Sequence, residues 1–582
     1  MEAALERILG IREIELVYGR LRAMGGGRPI AERLLQLLEV TLRISELDTA
    51  HVPRKGPAVL VVNHPFGILE GAALATILPR IRPDVKFLAN GVLAAIPELR
   101  DLVIPVDPMG GAGAIRQNPG ALRQSLHYLG DGGLLVVFPA GEVSHFQWRA
   151  RSVTDPPWSC GIARILRIAS RHAPSLPVIP VYVEGANSAL FQVLGMLHPR
   201  LRTALLAREL LNKRRYSVSV RIGSAISTGK LLAIPTEEEQ TEYLRWRTYL
   251  LASRQEYKAR TSLPFVRRRK ETLQPIAAPV EAETLCREIE ALPPASLMAK
   301  SGEMAAYIAS AGEIPSVLAE IGRLRELTFR GAGEGTGKSA DLDEFDPHYL
   351  HLFLWNEARQ ELAAAYRLAG ADQVRSRFGL RGLYTATLFD YGPEFLDRLG
   401  PALELGRSFV RAEYQKSFAP LLLLWKGIGQ YVSRNPRYKI LFGPVSISNQ
   451  YQSISRELMV SFLERYASFR EWAGLVSTRN PFRPSHREPG RLPKAAFDVE
   501  DLSAVVSDIE PSRAGVPVLL RQYLKLGGRL LGFNVDPKFS NALDGLILVD
   551  LTKTEPRLLE RYLGKSEASE FLAYQKGTYE TR

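Results

Sequence analysis

In the stretch VVNHPFGILEG, residues 61–71, His64 closes an apolar run and Glu70 follows six residues later. A tight turn through Gly67 would let that carboxylate bond one imidazole nitrogen, leaving the other free to take a proton from a hydroxyl. A single histidine at a strand end is commonly structural; the nearby carboxylate is what raises the chemical reading. A second candidate is AGEGTGKS, residues 332–339, which fits a phosphate-binding loop with Ala332 in the place of the first glycine, Lys338 as the cation and Ser339 as the hydroxyl. Such a loop needs a strand before it and a helix after it. SVLAEIGRLRELTFR upstream has helical spacing, and ADLDEFDPHYL downstream is acidic and soon reaches a proline. The match is therefore a glycine-rich loop that fits a short pattern by chance, and nucleotide hydrolysis is rejected. The acidic run itself, with Asp343, Glu344 and Asp346, reads alone as a solvated face or turn.

The elements that must position these residues fall into two halves. From Ala58, AVLVV, KFLAN, LVIPVD, GLLVVF, LPVIPVYV and YSVSVRI alternate with helical stretches, as expected for buried strands of a mostly parallel sheet. A second α/β unit follows, with candidate strands HLFLW, ELAAAYRL, LYTATLF, ALELGRSFV, KILFGPVSI and GLILVDL, and helices over APLLLLWKGIGQYVS and SISRELMVSFLERYAS. The fold class is thus α/β, with two different domains and no repeat between them. The expected boundaries are an amphipathic helical segment at 1–50, a first domain at 51–256, a linker at 257–312 and a second domain at 313–582. In the first segment Leu5, Ile8 and Leu9, then Ile30, Leu34, Leu37 and Leu38, form apolar stripes that pack on the domain behind them. The linker reading rests on Arg267–Lys270, Pro275, Pro279 and LPP. Residues 470–517 have no pattern that assigns them; a cover over an acyl pocket is expected.

Composition bounds the rest. The chain has 582 residues, room for more than one core, and its 46% hydrophobic and 24% charged residues are those of a globular protein. Cys160 and Cys286 lie far apart, which supports neither a disulfide framework nor a zinc site and fits a reducing cytosol. The net charge of +13 implies acidic partners, whether a carrier protein or an anionic lipid surface. MEAALERILG does not resemble a secretory signal, and no apolar run reaches the roughly 20 residues that span a bilayer, so membrane contact is expected to be peripheral, on the cytoplasmic face.

NHPFGILEG, IPVDPMGG, FPAGEVS and VIPVYVEG resemble, in order, the four blocks of the glycerolipid acyltransferases, over roughly residues 40–230. The resemblance implies that His64 activates an acceptor hydroxyl, that Glu70 orients it, and that the hydroxyl attacks an acyl thioester. It also implies that Asn63, Gly67 and the loop Phe138, Pro139, Gly141, Glu142 and Ser144 shape the acceptor and thioester pocket. The acid stands one place later than is common, as in a subgroup labelled hemolysins. In the third block Ala140 and Val143 replace a glutamate and the arginine that would grip an acceptor phosphate. Losing that cation argues for an acceptor without a phosphate.

In the second half RLRELTF, the acidic run, YRL and ELGRSFV resemble the acyl-homoserine-lactone synthases and, more closely, the ornithine lipid N-acyltransferases, both related to the N-acetyltransferase fold. The likeness extends through LLWKGIGQYV and ILFGPVSIS. It implies roles for Arg325, Phe329, Asp343, Glu344, Asp346, Arg367, Glu404 and Arg407: carboxylates to hold an ammonium and help remove its proton, arginines to hold a carboxylate or a carrier's phosphate. Glu404 and Arg407, three apart, would also pair with each other. The tryptophan of the signal synthases is absent, which disfavours a lactone product.

Joined in one chain, the two resemblances imply a bifunctional ornithine lipid synthase. The second domain would N-acylate an amino acid with a 3-hydroxyacyl thioester, and the first would O-acylate the exposed hydroxyl. Expected partners are acyl carrier protein, the membrane surface, the amino acid and the lyso-aminolipid, with no nucleic acid. No cofactor is expected beyond acyl carrier protein or acyl-CoA thioester as co-substrate. The alternatives are a lysophospholipid acyltransferase with an appended N-acyltransferase domain, and a secreted membrane-damaging protein, which the missing signal disfavours.

Overall fold

The computed structural model describes residues 11–577 except 26, 108–111, 150, 198, 255–272 and 485–497. Leu5, Ile8, Leu9 and the basic run Arg267–Lys270 lie outside the described residues. The chain divides into one unit of Met1–Lys258 with Pro493–Arg513, and another of Ala259–Leu492 with Ala514–Arg582.

In the first unit the strands are β1 (Thr41–Arg43), β2 (Ala58–Val62), β3 (Val85–Asn90), β4 (Val103–Val106), β5 (Leu134–Val137), β6 (His145–Gln147), β7 (Ser152–Thr154), β8 (Pro177–Val183), β9 (Ser217–Ile222) and β10 (Ile226–Ser227). The main sheet runs β1-β9-β8-β2-β5-β3-β4, with β10 beside β8 and a separate β6–β7 hairpin. Every pairing along that row is parallel except β8 with β9. All five residues of β2 and all four of β5 are buried, which is why they read as unbroken apolar runs. Helices α1 (Ile11–Ala23) and α2 (Ile30–Leu37) lead in; α3 (Leu69–Ile77), α4 (Ala112–Gly130), α5 (Gly161–Ala169), α6 (Ala189–Leu197), α7 (Pro199–Leu211) and α8 (Glu237–Leu250) follow the strands. Ala31 and Leu35 of α2 share a core with Leu69 and Ala73 of α3, the packing expected of the amphipathic segment. That segment is not wholly helical, since it also supplies β1.

The segment 470–517 does not act as one cover. Its helix Val499–Ile509 belongs to the first unit, where Asp508 accepts from Ser224 N at 2.8 Å and from the buried Arg247 at 3.1 Å. Arg254 adds a bond to the Asp508 carbonyl.

The second unit is built on a sheet ordered β11-β12-β13-β14-β16-β17-β20-β19. Its strands are β11 (Leu297–Ser301), β12 (Met304–Ser310), β13 (Leu350–Asn356), β14 (Glu361–Gly370), β15 (Phe389–Tyr391), β16 (Ala402–Val410), β17 (Ile440–Ile447), β18 (Val476–Thr478), β19 (Arg529–Asp536) and β20 (Ala542–Asp550), with β15 and β18 paired apart from it. Helices α9 (Ala282–Glu290), α10 (Pro315–Gly331), α11 (Ala419–Arg434), α12 (Ser453–Tyr466) and α13 (Val518–Lys525) accompany it. The stretch 257–312 is therefore more than a linker, because α9, β11 and β12 are part of this unit. Alanine and serine dilute β11 and β12, so neither carries the β-branched signature of a strand. LYTATLF is not a full strand either: Tyr384–Thr387 form a 3-10 turn before the short β15.

Among these strands only β16 and β17 pair in parallel, and they do so just over Ala402–Glu404 against Ile440–Phe442 before separating. At that point Gly443 comes so near β16 that a Cβ would lie 2.0 Å from the Leu405 carbonyl oxygen. Beyond it β16 bulges, its register with β14 shifting between Ala365 and Arg367, and Arg407 takes a φ of +47°. A residue other than glycine in this region stores strain, which directs attention to the gap beside it.

Candidate functional site

His64 sits in the turn after β2, and Glu70 lies in the first turn of α3. The His64 Nδ1 donates to Glu70 Oε1 at 2.8 Å, and the same oxygen accepts from the amides of Phe66 at 3.0 Å and Gly67 at 2.9 Å. Glu70 is fully buried, whereas the His64 side chain keeps 17% exposure. Because Nδ1 is committed to the carboxylate, Nε2 carries the free lone pair. Burial opposes charge on both groups, but their mutual attraction outweighs it: His64 is held above its ordinary value and Glu70 below its own. The arrangement suits a general base oriented by a carboxylate that would stabilise its imidazolium.

Gly67 is required in the turn. Its φ is +101°, and a Cβ there would stand 2.7 Å from Leu206 of α7 and 3.1 Å from Val143. The loop after β5, beside β2 in the sheet, meets the histidine directly. The Phe138 ring lies 4.7 Å from the imidazole, and Ser144 N donates to the His64 carbonyl at 2.7 Å. Pro139 is buried, and its carbonyl accepts from Ser159 N, while Gly141 closes a turn onto the Phe138 carbonyl at 3.1 Å.

Ser144 is 3% exposed, and its hydroxyl donates to Asp155, which also accepts from His64 N at 3.1 Å and Trp158 Nε1 at 2.8 Å. Asp155 thus fastens the histidine turn to the third block. Sequence reasoning missed it, because an aspartate before two prolines looks like turn chemistry. Asn63 is placed differently from the expectation. Only 2% exposed, it donates to the Val183 carbonyl at 2.9 Å and accepts from Val183 N at 2.7 Å, tying β2 to β8 rather than lining a pocket. Glu142 is exposed and pairs with Arg202 of α7 at 2.9 Å.

In the second unit the expected residues form a closed ion network. Asp346 is 2% exposed and binds Arg325 at 3.0 and 2.9 Å and Arg367 at 3.0 Å. Burial opposes its charge, yet the two guanidiniums hold its carboxyl well below the usual range. Asp343 pairs with Arg367 at 2.5 Å and faces Arg407 at 3.7 Å; Asp341, which sequence reasoning did not single out, pairs with Arg407 at 3.2 Å. Three aspartates meet three arginines. Glu344 is exposed outside the network.

Glu404 and Arg407 do not pair: they lie three apart on β16, where side chains alternate between the two faces, and each has other partners. Glu404, 1% exposed, accepts from the Tyr349 hydroxyl and from the amides of Thr385 at 2.6 Å and Tyr384 at 3.3 Å. Burial pushes its carboxyl above the ordinary value.

Where β16 and β17 part there is a cavity of about 50 Å³, lined by Gly406, Arg407 and Ser408 of β16, Pro444 and Ser446 of β17, and Asp544 of β20, among others. Of the expected site residues only Phe329 and Arg407 reach it; none of the expected carboxylates does. A Cβ on Gly406 would meet nothing within 4 Å, so the wall is open at that point.

The glycine-rich loop has a clear explanation. It follows helix α10, not a strand, and its anion is its own: the Glu326 carboxylate accepts from Thr336 N at 3.0 Å, the Thr336 hydroxyl at 2.6 Å and Gly337 N at 2.8 Å. Arg330 pairs with the same group at 2.7 Å. The amides a phosphate would need are taken.

An acyltransferase profile matches residues 38–257, and an acetyltransferase (GNAT) domain profile matches residues 324–426. A glycine N(alpha)-acyltransferase of Bacteroides thetaiotaomicron is 32% identical over 292 residues, 48% of this chain and 86% of its own length. The chain belongs to the family of that N(alpha)-acyltransferase. A protein of the same name from Phocaeicola vulgatus is 30% identical over 48% of this chain and 89% of its own. The same organism has a separate lyso-glycine lipid O-acyltransferase, 26% identical over 34% of this chain and 69% of its own. This chain is therefore an acyltransferase that joins an acyltransferase domain to an N-acetyltransferase-fold domain, two different α/β domains as expected. Among the described residues no helix is long and apolar enough to cross a membrane.

Proposed function

We propose that this chain makes a diacylated amino acid lipid, its second unit forming the amide and its first unit the ester. The observation that carries the reading is the pairing, in one chain, of a partly exposed imidazole backed by a buried carboxylate with a cavity between diverging parallel strands. In the second unit the amine of an α-amino acid attacks the carbonyl carbon of a 3-hydroxyacyl thioester; the C–N bond forms, the C–S bond breaks and the thiol leaves. In the first unit His64 Nε2 takes the proton of the 3-hydroxyl as its oxygen attacks a second thioester, then returns it to the departing thiolate. Glu70 stabilises the imidazolium between these events.

The acceptor is an α-amino acid. The relatives' names support glycine and the sequence resemblance supports ornithine, which share the α-ammonium. Carrier-protein thioesters and an anionic membrane surface suit the net charge of +13, with the enzyme peripheral on the cytoplasmic face. A phosphate-bearing acceptor is disfavoured because Val143 offers no cation and Arg202 nearby is already paired to Glu142.

The test uses the purified full chain with glycine or ornithine and 3-hydroxyhexadecanoyl thioester, as carrier-protein and CoA forms, followed by hexadecanoyl thioester. Appearance of an N-acyl amino acid that converts to a diacyl product supports the reading. Ester formation on lysophosphatidic acid with no amide product would replace it by the lysophospholipid alternative.

A further inference from the structure

Resting on the N-acyl transfer proposed above, one question remains open: which residues receive the amine. The aspartates near Arg325 are already matched one for one by arginines, and none of them lines the cavity. A different set of carboxylates is not balanced. Asp544 is 4% exposed and lines the cavity, yet its carboxylate accepts no hydrogen bond among the described residues. It stands directly opposite Ser446 across the β17–β20 ladder, and the Ser446 hydroxyl donates to Glu334 Oε2 at 3.0 Å. Glu334 is 8% exposed and Asp536, a neighbour on β19, 6%.

The charged groups that act on Asp544 are Asp536, Glu334 and Arg407, so two carboxylates oppose one guanidinium. That guanidinium already faces Asp341 and Asp343. A buried carboxylate without a donor is costly unless a ligand brings a cation with hydrogens to give. Among the described residues no three carboxylate, histidine or cysteine groups converge as a metal ion needs, whereas a primary ammonium needs only one or two acceptors.

We infer that the acceptor's ammonium docks on Asp544 inside this cavity and passes a proton to the carboxylates there, Asp544 with Glu334 beyond Ser446, which makes these residues, rather than the aspartates of the arginine network, the amine site. The freed nitrogen lone pair attacks the thioester carbon between β16 and β17; the C–N bond forms as the C–S bond breaks. One ammonium proton stays on the carboxylate set until solvent removes it, and a second neutralises the thiolate. Burial pushes Glu334 up to about 7, which suits a group that takes and returns a proton near neutrality; burial, Asp536 and Glu334 raise Asp544 while it stands without a cation, an opposition that a docked ammonium offsets. Asp544, which touches the acceptor, is the catalytic residue, and Glu334, whose charge acts on Asp544, is a positioning residue.

The experiment compares the purified full chain with Asp544→Asn and Glu334→Gln, measuring amide formation on glycine and on ornithine from about pH 6 to 9, with unfolding midpoints alongside. Asp544→Asn is expected to lower kcat/KM for the amino acid about 100-fold or more while the thioester KM stays unchanged. Its unfolding midpoint should not fall, because a carboxyl that accepts no hydrogen bond in the free protein has been replaced by a neutral isostere. Glu334→Gln is expected to flatten the rise of kcat/KM with pH near neutrality. Asp544→Asn within about threefold of the parent, or a raised thioester KM in place of the acceptor effect, would overturn the inference. So would a lowered unfolding midpoint with activity lost in proportion, since that marks a structural role. A parent protein that acylates no amino acid would refute the proposed function first, and this inference with it.

Discussion

Replacing Glu70 with glutamine separates two ways in which the carboxylate could serve His64. The Oε1 atom accepts from Phe66 N and Gly67 N as well as from the imidazole. A glutamine must therefore keep its oxygen at that position, because its NH2 group would meet two donors there. The imidazole then retains its tautomer, and what is lost is the charge. A hydrogen bond to a charged partner contributes about 1.5–3 kcal/mol and a neutral one about 0.5–1.5, so imidazolium stabilisation falls by about 1.5 kcal/mol. That corresponds to roughly a tenfold drop in kcat.

His64 is held above its ordinary value by Glu70 and must be neutral to act as a base. Ester formation in the parent should rise with pH along a limb above the normal imidazole range, and glutamine should move that limb to lower pH. The assay is thiol release from hexadecanoyl-CoA with an N-(3-hydroxyacyl) amino acid as acceptor, scanned in pH. A loss near 10⁴-fold would mean that the tautomer is wrong, and the geometry argued for Glu70 with it. A loss under about twofold with the pH limb unmoved would show that the carboxylate does not assist the base.

Three further outcomes follow from the same contacts. Asp346→Ala leaves Arg325 and Arg367 buried without their shared anion, and chemical denaturation of the second unit should register a loss of about 3–5 kcal/mol. An unchanged midpoint would contradict a structural role. Asn63→Ala should act on stability rather than on chemistry: it strips the Val183 amide and carbonyl of partners, costing about 2–4 kcal/mol by denaturant titration, with the acceptor KM unchanged in the folded protein. Glu142→Ala uncovers Arg202 at the third block, and acylation of lysophosphatidic acid should rise severalfold over the parent; no rise would remove Arg202 from the account of phosphate exclusion.

What the sequence made legible was local. His64 and Glu70 are six residues apart, spanning a single turn into one helix, so their pairing needed no knowledge of the sheet. The buried strands β2 and β5 were equally plain as unbroken apolar runs. Asp544 and Glu334 were not legible, because 210 positions separate them and only the β17–β20 ladder sets Asp544 across from Ser446. Asn63 misled for a related reason: beside a candidate base it reads as chemistry, while its amide completes a bridge to a strand 120 residues away. The acidic run from Asp341 to Asp346 drew attention for its charge, yet sequence could not tell carboxylates that face a ligand from carboxylates matched by arginines.

The central claim is that one chain performs both acyl transfers, and lipid mass spectrometry of a bacterium lacking aminolipids tests it most directly. The strain would express the parent, His64→Ala or Asp544→Asn. The account predicts a diacylated amino acid lipid from the parent, its mono-acylated amide from His64→Ala, and neither from Asp544→Asn. If the parent changes only phospholipid chains, and only His64 matters to that change, the claim is contradicted.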